Sequence, residues 1–217
     1  MDERSDLAAL DFPSFIARVE RALAGPLPGL EGQMRMSPMP RPGWKAGRIP
    51  ADATEAGGLL LLYPKNDRPH LVLTERSRDL PTHKGQVSLP GGMREPGESL
   101  MEAALREAEE EVGVARASLR VLGALTPLDI PVSGFVLHPF VAAAGSDPGA
   151  YAATGEVERV LEVPLAHLLD PARRGQDRRV LLQSVRDTRY FEVEGKRVWG
   201  ATAMILGEFL TLLGAPP

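Results

Sequence analysis

Five glutamates lie between residues 99 and 114, with a single arginine, Arg106, among them. If this stretch is helical, spacings of three and four residues place Glu107, Glu110 and Glu111 within about 100° of one another on one face. Like charges that close destabilise a helix, and a bound divalent cation would reverse the effect. Carboxylates with water suit Mg²⁺ or Mn²⁺, whereas zinc prefers imidazole and thiolate. The pattern predicts a metal site, with a solvated acidic helix face as the alternative.

Both ends of this helix are marked in the sequence. Ser99 followed by Glu102 is a capping box, and Gly113 supplies the left-handed residue that ends a helix. We therefore predict a helix over residues 99–112. The stripe that faces the core comprises Met101, Ala104, Leu105, Ala108 and Val112.

The acidic helix belongs to a longer spaced motif. Gly92 is followed after five residues by Glu98, after seven more by Arg106-Glu107, and then by Glu110-Glu111 and Gly113-Val114. This spacing resembles the Nudix box, with Ala108 where a larger aliphatic residue is usual. The resemblance implies an α/β/α sandwich with a mixed β-sheet. It also implies divalent-metal-dependent hydrolysis of a nucleoside diphosphate linked to another group.

The resemblance further implies roles for individual residues. Glu107 and Glu111 would be the principal ligands of Mg²⁺ or Mn²⁺, and Glu110 a further ligand or the general base. Glu98 and Arg106 would form an ion pair that clamps the loop to the helix. Glu156, in a Gly-Glu-Val turn, is another candidate base that could reach the site from the opposite side, or a solvated residue at the end of an element. The catalytic candidates are thus Glu107, Glu110 and Glu156.

A second motif precedes the box. Leu73-Thr-Glu-Arg-Ser77, Gly85 and Leu89-Pro-Gly-Gly92 resemble the pattern of the coenzyme A pyrophosphatase branch of Nudix enzymes. Pro81 stands where that pattern commonly has Arg, and Leu89 where it has Phe. The substrate-binding candidates are Arg76, Ser77, His83, Gly85, Gly91 and Gly92. Arg76 and Ser77 offer donors suited to phosphate oxygens, with a surface ion pair as the alternative for Arg76. His83 could meet the 3′-phosphate of coenzyme A or cap the loop.

The two motifs together favour cleavage of coenzyme A or its thioesters at the diphosphate. The products would be 3′,5′-adenosine bisphosphate and 4′-phosphopantetheine or its acyl form. Because two positions depart from the branch pattern, ADP-ribose, NADH and a nucleoside triphosphate remain alternative substrates. A non-catalytic Nudix-fold sensor is the alternative from another class, and the intact acidic positions Glu107, Glu110 and Glu111 speak against it.

The remaining elements would form the scaffold. An amphipathic helix is predicted over residues 11–24, and a Pro-rich irregular strap over 25–50, so residues 1–50 would pack on a Nudix domain of residues 51–217. A β-hairpin is predicted from residues 59–63 and 71–73, and another around Glu194-Gly195. Further strands are predicted over 86–89, 120–125, 135–142, 157–163, 180–185 and 189–193, and a last helix over 201–213.

Composition narrows the possible partners. The chain has 217 residues, no cysteine and a formal net charge of -4, which excludes disulfides and thiolate metal sites and disfavours nucleic acid and anionic membranes. Its beginning does not resemble a secretory signal, and no run of 18 apolar residues occurs. We therefore expect a cytoplasmic monomer or homodimer that binds a small nucleotide.

Overall fold

The computed structural model describes residues 3–41, 43–44, 49–79, 85–148, 155–181 and 184–217. These residues form six α-helices: α1 (Glu3–Ala9), α2 (Phe12–Leu23), α3 (Leu30–Met34), α4 (Leu100–Val112), α5 (Leu165–Leu169) and α6 (Gly200–Leu212). They also form eleven strands: β1 (Thr54–Lys65), β2 (Arg68–Arg76), β3 (Val87–Ser88), β4 (Gly91–Met93), β5 (Leu119–Ala124), β6 (Leu128–Ile130), β7 (Phe135–Ala144), β8 (Val157–Pro164), β9 (Arg174–Leu181), β10 (Ser184–Val193) and β11 (Lys196–Val198).

Eight of the strands form one mixed sheet. Its main path runs β3-β2-β1-β7-β5, while β4 pairs with β1, β6 with β7 and β8 with β2. The pair β1–β7 is parallel, and the other pairs of this sheet are antiparallel. The strands β9, β10 and β11 form a second, antiparallel sheet. The predicted mixed sheet is confirmed.

The central strand β1 is buried on both faces. Side chains alternate along a strand, so Leu59 and Leu61 face α4, whereas Leu60 and Leu62 face the cluster that contains α2 and α6. All four leucines are at most 1% exposed. Helices therefore cover both faces of the sheet, which confirms the predicted α/β/α sandwich.

The acidic helix has the predicted limits. Ser99 is its N-cap in a full capping box with Glu102, and Gly113 ends it in the left-handed conformation at φ 75°. The predicted core stripe is wrong at Met101, which is 38% exposed. Ala103, which the predicted stripe does not include, is buried in place of Met101, while Ala104 is buried as predicted, where the helix backbone lies against Gly57 of β1.

Two further predictions need correction. Residues 180–185 were predicted to form one strand, but β9 ends at Leu181 and β10 begins at Ser184, with these two residues paired across a hairpin. Apolar Val180 and Val185 resemble a buried run in sequence, yet they are 73% and 61% exposed. Both hairpins predicted elsewhere, β1–β2 and β10–β11, are present.

The N-terminal segment contributes to the main core. Phe15 and Val19 of α2 are fully buried in the cluster that includes Phe209 of α6. The predicted irregular strap over 25–50 is wrong in part, since α3 lies within it and packs against α6. This helix has only five residues, too few to give a periodic pattern in sequence. Among the described residues, no helix is both long and apolar enough to cross a membrane.

Candidate active site

A cleft of about 1220 Å³ runs along the edge of the mixed sheet. At one end it is lined by three glutamates of α4, Glu107, Glu110 and Glu111. Glu156, in the turn before β8, and Arg76, at the end of β2, line the same cleft. The cleft thus brings together all three carboxylates predicted to bind metal and the second candidate base.

The glycines of β4 allow α4 to approach the sheet closely. A Cβ on Gly92 would lie 2.3 Å from the Oε1 atom of Glu107, so a side chain here would displace that carboxylate. The amide of Gly91 donates a hydrogen bond of 3.2 Å to Glu111 Oε2. Gly91 has φ 156°, and a Cβ there would lie 2.3 Å from the carbonyl oxygen of Gly57. Both positions therefore require glycine for the carboxylates to sit where they do.

Burial disfavours the charged form of two of these glutamates. Glu111 is 6% exposed, and burial raises its pKa to about 7, although the hydrogen bond from Gly91 acts to lower it. Burial also raises the pKa of Glu107, although the hydrogen bond from Arg106 and its positive charge both act to lower it. The charge of Glu110 adds to the rise in the Glu107 pKa, the charge of Glu107 adds to that of Glu111, and Glu156 contributes to both. A bound cation would relieve this repulsion.

Arg106 links the loop before α4 to the helix. Its Nε and Nη2 atoms donate to the two oxygens of Glu98 at 2.9 and 3.2 Å, and Nη2 also donates to the Met93 carbonyl at 3.1 Å. This paired hydrogen bond holds the pKa of Glu98 below its usual range. The structure thus contains the ion pair expected from the sequence, with both side chains less than one-fifth exposed.

Arg106 also holds two of the predicted metal ligands. Its Nη1 atom donates to Glu107 Oε1 at 2.9 Å and to Glu110 Oε2 at 3.3 Å. Within the described ranges, no three acidic or histidine side chains converge as a ready metal cluster. The donor set nevertheless fits a hard cation, since two carboxylates with raised pKa values and one exposed carboxylate, Glu110, line one cavity wall.

Of the predicted phosphate-binding residues Arg76, Ser77 and Gly85, Arg76 lines the cleft and the other two are not among its lining residues. Arg76 Nη2 is 3.7 Å from Glu156 Oε2, and the amide of Ser77 donates to the Glu156 carbonyl at 2.8 Å. The amide of Gly85 donates to the Arg76 carbonyl at 3.0 Å. The Arg76 Nε atom is buried and has no hydrogen-bond partner among the described residues. His83 and Pro81 lie outside the described residues.

Sequence reasoning missed the part of the cleft that the motif residues do not line. Apolar residues of β6, β7 and α6 line it, together with Arg41 from the N-terminal strap and Arg186 from β10. Neither arginine belongs to a recognisable motif. The bridge between Met39 and Asp187 brings both into the cleft, and sequence alone does not reveal such a long-range pairing.

The sequence of the chain is similar to those of known proteins. A model of the NUDIX domain matches residues 54–184. The protein named "Uncharacterized Nudix hydrolase NudL" of Klebsiella pneumoniae subsp. pneumoniae is 40% identical over 168 residues, covering 73% of this chain and 83% of that protein. Its namesake in Photorhabdus laumondii subsp. laumondii is 34% identical over 183 residues, covering 80% and 89%.

Among solved structures, a MutT/nudix family protein from Enterococcus faecalis has a similar fold. The TM-score is 0.50, with 17% identity, and the match covers 78% of this chain and 71% of that one. At this identity the likeness concerns the fold alone. The sandwich and its mixed sheet are thus shared with a solved Nudix structure.

Proposed function

Because this chain belongs to the Nudix hydrolase family, whose members act on nucleoside diphosphate derivatives, we propose that it cleaves coenzyme A or its thioesters at the diphosphate. Water adds to one phosphorus and the bridging P–O bond breaks. The products are 3′,5′-adenosine bisphosphate and 4′-phosphopantetheine or its acyl form.

One observation carries the proposal: half-buried and buried carboxylates from one helix lie against the glycines of β4 in a cleft that Arg76 also lines. Glu107 and Glu111 are the residues that would hold Mg²⁺ or Mn²⁺, with Glu110 as a further ligand. When bound, such an ion withdraws charge from phosphate oxygens and lowers the pKa of water.

The chain's own residues supply the remaining roles. Arg76 offers guanidinium donors suited to phosphate oxygens, and its unpartnered Nε is already buried at the end of β2. Ser77, beside it, offers a hydroxyl. Gly91 and Gly92 line the cleft with their backbone and are proposed to contact the phosphates there. Gly85 and His83 are the other residues proposed to bind the substrate.

Two carboxylates are the candidates for accepting the proton of the attacking water. Glu110 projects from α4 with 61% of its side chain exposed, and Glu156 faces the cleft from the turn before β8 with 65% exposed. Separate Glu110→Gln and Glu156→Gln variants identify the base. Loss of the acidic limb of the pH–rate profile is expected for the variant that lacks it.

The coenzyme A assignment rests on the Leu-Thr-Glu-Arg-Ser motif that ends at Ser77 and on the Gly85 turn that follows it. The Arg76 amide donates a hydrogen bond of 3.0 Å to the carbonyl of Gln86, just before β3, and both residues line the cleft. ADP-ribose, NADH and nucleoside triphosphates are the competing substrates of the same chemistry.

A substrate panel tests the assignment. We would measure kcat/KM for coenzyme A, acetyl-coenzyme A, ADP-ribose, NADH and ATP at saturating Mg²⁺ and at saturating Mn²⁺. Coenzyme A or its thioester is expected to have the highest value by about tenfold or more. A higher value for another compound would retire the coenzyme A assignment and leave the pyrophosphohydrolase assignment in place.

A further inference from the structure

Two arginines outside the motifs line the cleft. Arg41 belongs to the N-terminal strap and Arg186 to β10, and both line the cavity. Arg186 is only 5% exposed. The roles proposed for the active site use neither residue, so their burial in a ligand-sized cavity needs another explanation.

The surrounding structure fixes Arg41 in place. The backbones of Met39 and Asp187 exchange two hydrogen bonds of 2.9 Å, so the strap runs beside β10. Arg41 Nη2 donates to the carbonyl of Asp129 at 2.6 Å, and its guanidinium lies 4.8 Å from the centre of the Trp44 ring. The other terminal nitrogen, Nη1, is buried and donates to no atom of the described residues.

Among the described residues, no salt bridge neutralises the charge of Arg41 or Arg186. Within the described part of the chain, neither arginine has an ion pair within 4.0 Å. Burial and the nearby charge of Arg186 lower the pKa of Arg41, and only the carboxylate of Asp129 opposes that shift. A buried cation without a full counter-charge is costly. An anionic group would remove that cost.

The strand register gives the distance between the Asp129 backbone, which holds Arg41, and the strand β4, which lies beside Glu107. Asp129 on β6 pairs with Val136 on β7, and Val136 pairs with Glu55 on β1. The next strand on that side is β4, against which Glu107 lies. Three strand spacings therefore separate the Asp129 backbone from β4, roughly 14 Å. An extended nucleotide is of comparable length.

We propose that Arg41 and Arg186 bind a phosphomonoester that the nucleotide substrate carries on its ribose, away from the diphosphate at the carboxylates. This inference rests on the proposed function. Guanidinium groups suit such a dianion because they donate in pairs to its oxygens. The 3′-phosphate of coenzyme A and the 2′-phosphate of NADPH share this chemistry.

Calorimetry with product-like probes tests the subsite without any turnover. The probes are AMP, adenosine 3′,5′-bisphosphate and adenosine 2′,5′-bisphosphate, each titrated with Mg²⁺ present. We expect one bisphosphate to bind the wild-type protein about tenfold or more tightly than AMP, and which one it is distinguishes the two sources. Equal affinities for all three probes would overturn the proposal.

Three variants locate the effect. In Arg41→Gln and in Arg186→Gln, the affinities for the bisphosphate and for AMP should lie within about threefold of each other. Arg41→Lys should keep part of the preference for the bisphosphate because it keeps the positive charge. The matched control is Arg178→Gln, on the neighbouring strand, whose side chain is 81% exposed and faces Asp187. An equal loss of preference in Arg178→Gln would attribute the effect to general electrostatics and contradict the proposal.

The ratio of kcat/KM for two substrates distinguishes a failure of this proposal from a failure of the proposed function. Coenzyme A and dephospho-coenzyme A differ only in the 3′-phosphate, and their kcat/KM ratio on one preparation is independent of the fraction of folded enzyme. We expect a ratio of about ten or more in the wild type and near one in Arg41→Gln, mainly through KM. An unchanged ratio contradicts the subsite. Turnover of neither compound contradicts the proposed function, and calorimetry then still decides the subsite.

Discussion

Glu107 and Glu111 stand one helical turn apart, yet they have different surroundings. Glu107 accepts a hydrogen bond from Arg106 at 2.9 Å, while Glu111 accepts one from the Gly91 backbone at 3.2 Å. Arg106 is thus the cation that partly neutralises the ligand set in the structure. We infer that a bound metal ion would compete with Arg106 for Glu107, whereas Glu111 would need to lose a proton near neutral pH.

Replacing Glu107 by Gln tests the first of these roles. The substitution removes the charge of a proposed metal ligand and one like-charge repulsion, so we expect kcat to fall about 10²-fold or more with no loss of folding. The matched control is Glu109→Gln on the same helix, since Glu109 pairs with Arg116 and is absent from the cleft lining. Retained activity in Glu107→Gln would place the metal site elsewhere.

The raised pKa of Glu111 predicts a pH dependence of stability in metal-free protein. Its pKa is about 7 when folded and near 4.5 in the unfolded chain, so the folded state binds more protons between these values. The free energy of unfolding should therefore fall as pH rises from 4.5 to 7, by on the order of 3 kcal/mol.

Urea unfolding with a chelator at pH 5 and pH 7.5 measures this effect. Glu111→Gln cannot ionise, so the difference in stability between variant and wild type should grow with pH, and Mg²⁺ should reduce it. A difference that is the same at both pH values would show that Glu111 is not protonated in the folded protein.

At the scale of elements, the site depends on how closely α4 packs on β1. Gly57 of β1 is buried, and a Cβ there would lie 2.3 Å from the carbonyl oxygen of Leu100 and 2.9 Å from the amide nitrogen of Ala104. These are backbone atoms that cannot move aside separately. The position of the whole acidic helix therefore depends on this glycine.

Gly57→Ala should push α4 away from the sheet. We expect a loss of about 1–3 kcal/mol in the free energy of unfolding, as for other overpacked cores, and a lower kcat because the carboxylates shift relative to β4. Gly145→Ala is the control, since its added Cβ would meet nothing within 4 Å. Wild-type stability and activity in Gly57→Ala would refute this dependence.

The elements differ in how far the sequence predicts them. The limits of α4 are predictable because capping, periodicity and the stop at Gly113 agree locally. The strand β4 was not predicted, since its two glycines become a strand only by pairing with Gly57 and Gly58. The hairpin within 180–185 was missed for a similar reason, because its apolar residues resemble a single strand.

At the scale of the whole molecule, the N-terminal strap is tied to the domain by buried polar groups. Gln33 of α3 donates to Glu208 Oε2 at 3.0 Å and to the Thr126 carbonyl at 2.9 Å, while the Thr126 amide donates to Glu208 Oε1 at 3.1 Å. Gln33 is 2% exposed and Glu208 is fully buried. This network joins the strap that carries Arg41 to α6.

Gln33→Ala should destabilise the protein. It leaves a buried carboxylate oxygen of Glu208 and the partly buried Thr126 carbonyl without their donor, which costs about 1–3 kcal/mol. Glu31→Ala, in the same short helix, removes only an exposed ion pair with Arg35 and should cost less than about 1 kcal/mol. Equal losses in the two variants, measured by urea unfolding, would show that the network does not anchor the strap.

The sequence motifs located the acidic end of the cleft, but not its full extent. Glu107, Glu110, Glu111 and Arg76 were found because the motif spacing is local and the residue types are chemically distinctive. Arg41 and Arg186 were not, because they are 145 residues apart in the chain and meet only through tertiary packing.

Product analysis tests the central claim most directly. Coenzyme A is incubated with the wild-type protein and with Glu107→Gln, in Mg²⁺, in Mn²⁺ and in chelator, and the products are identified by mass spectrometry. We predict 3′,5′-adenosine bisphosphate and 4′-phosphopantetheine in equal amounts from the wild type with metal, and neither with chelator. Undiminished cleavage in chelator or by Glu107→Gln, or an intact coenzyme A pool in every sample, would contradict the account.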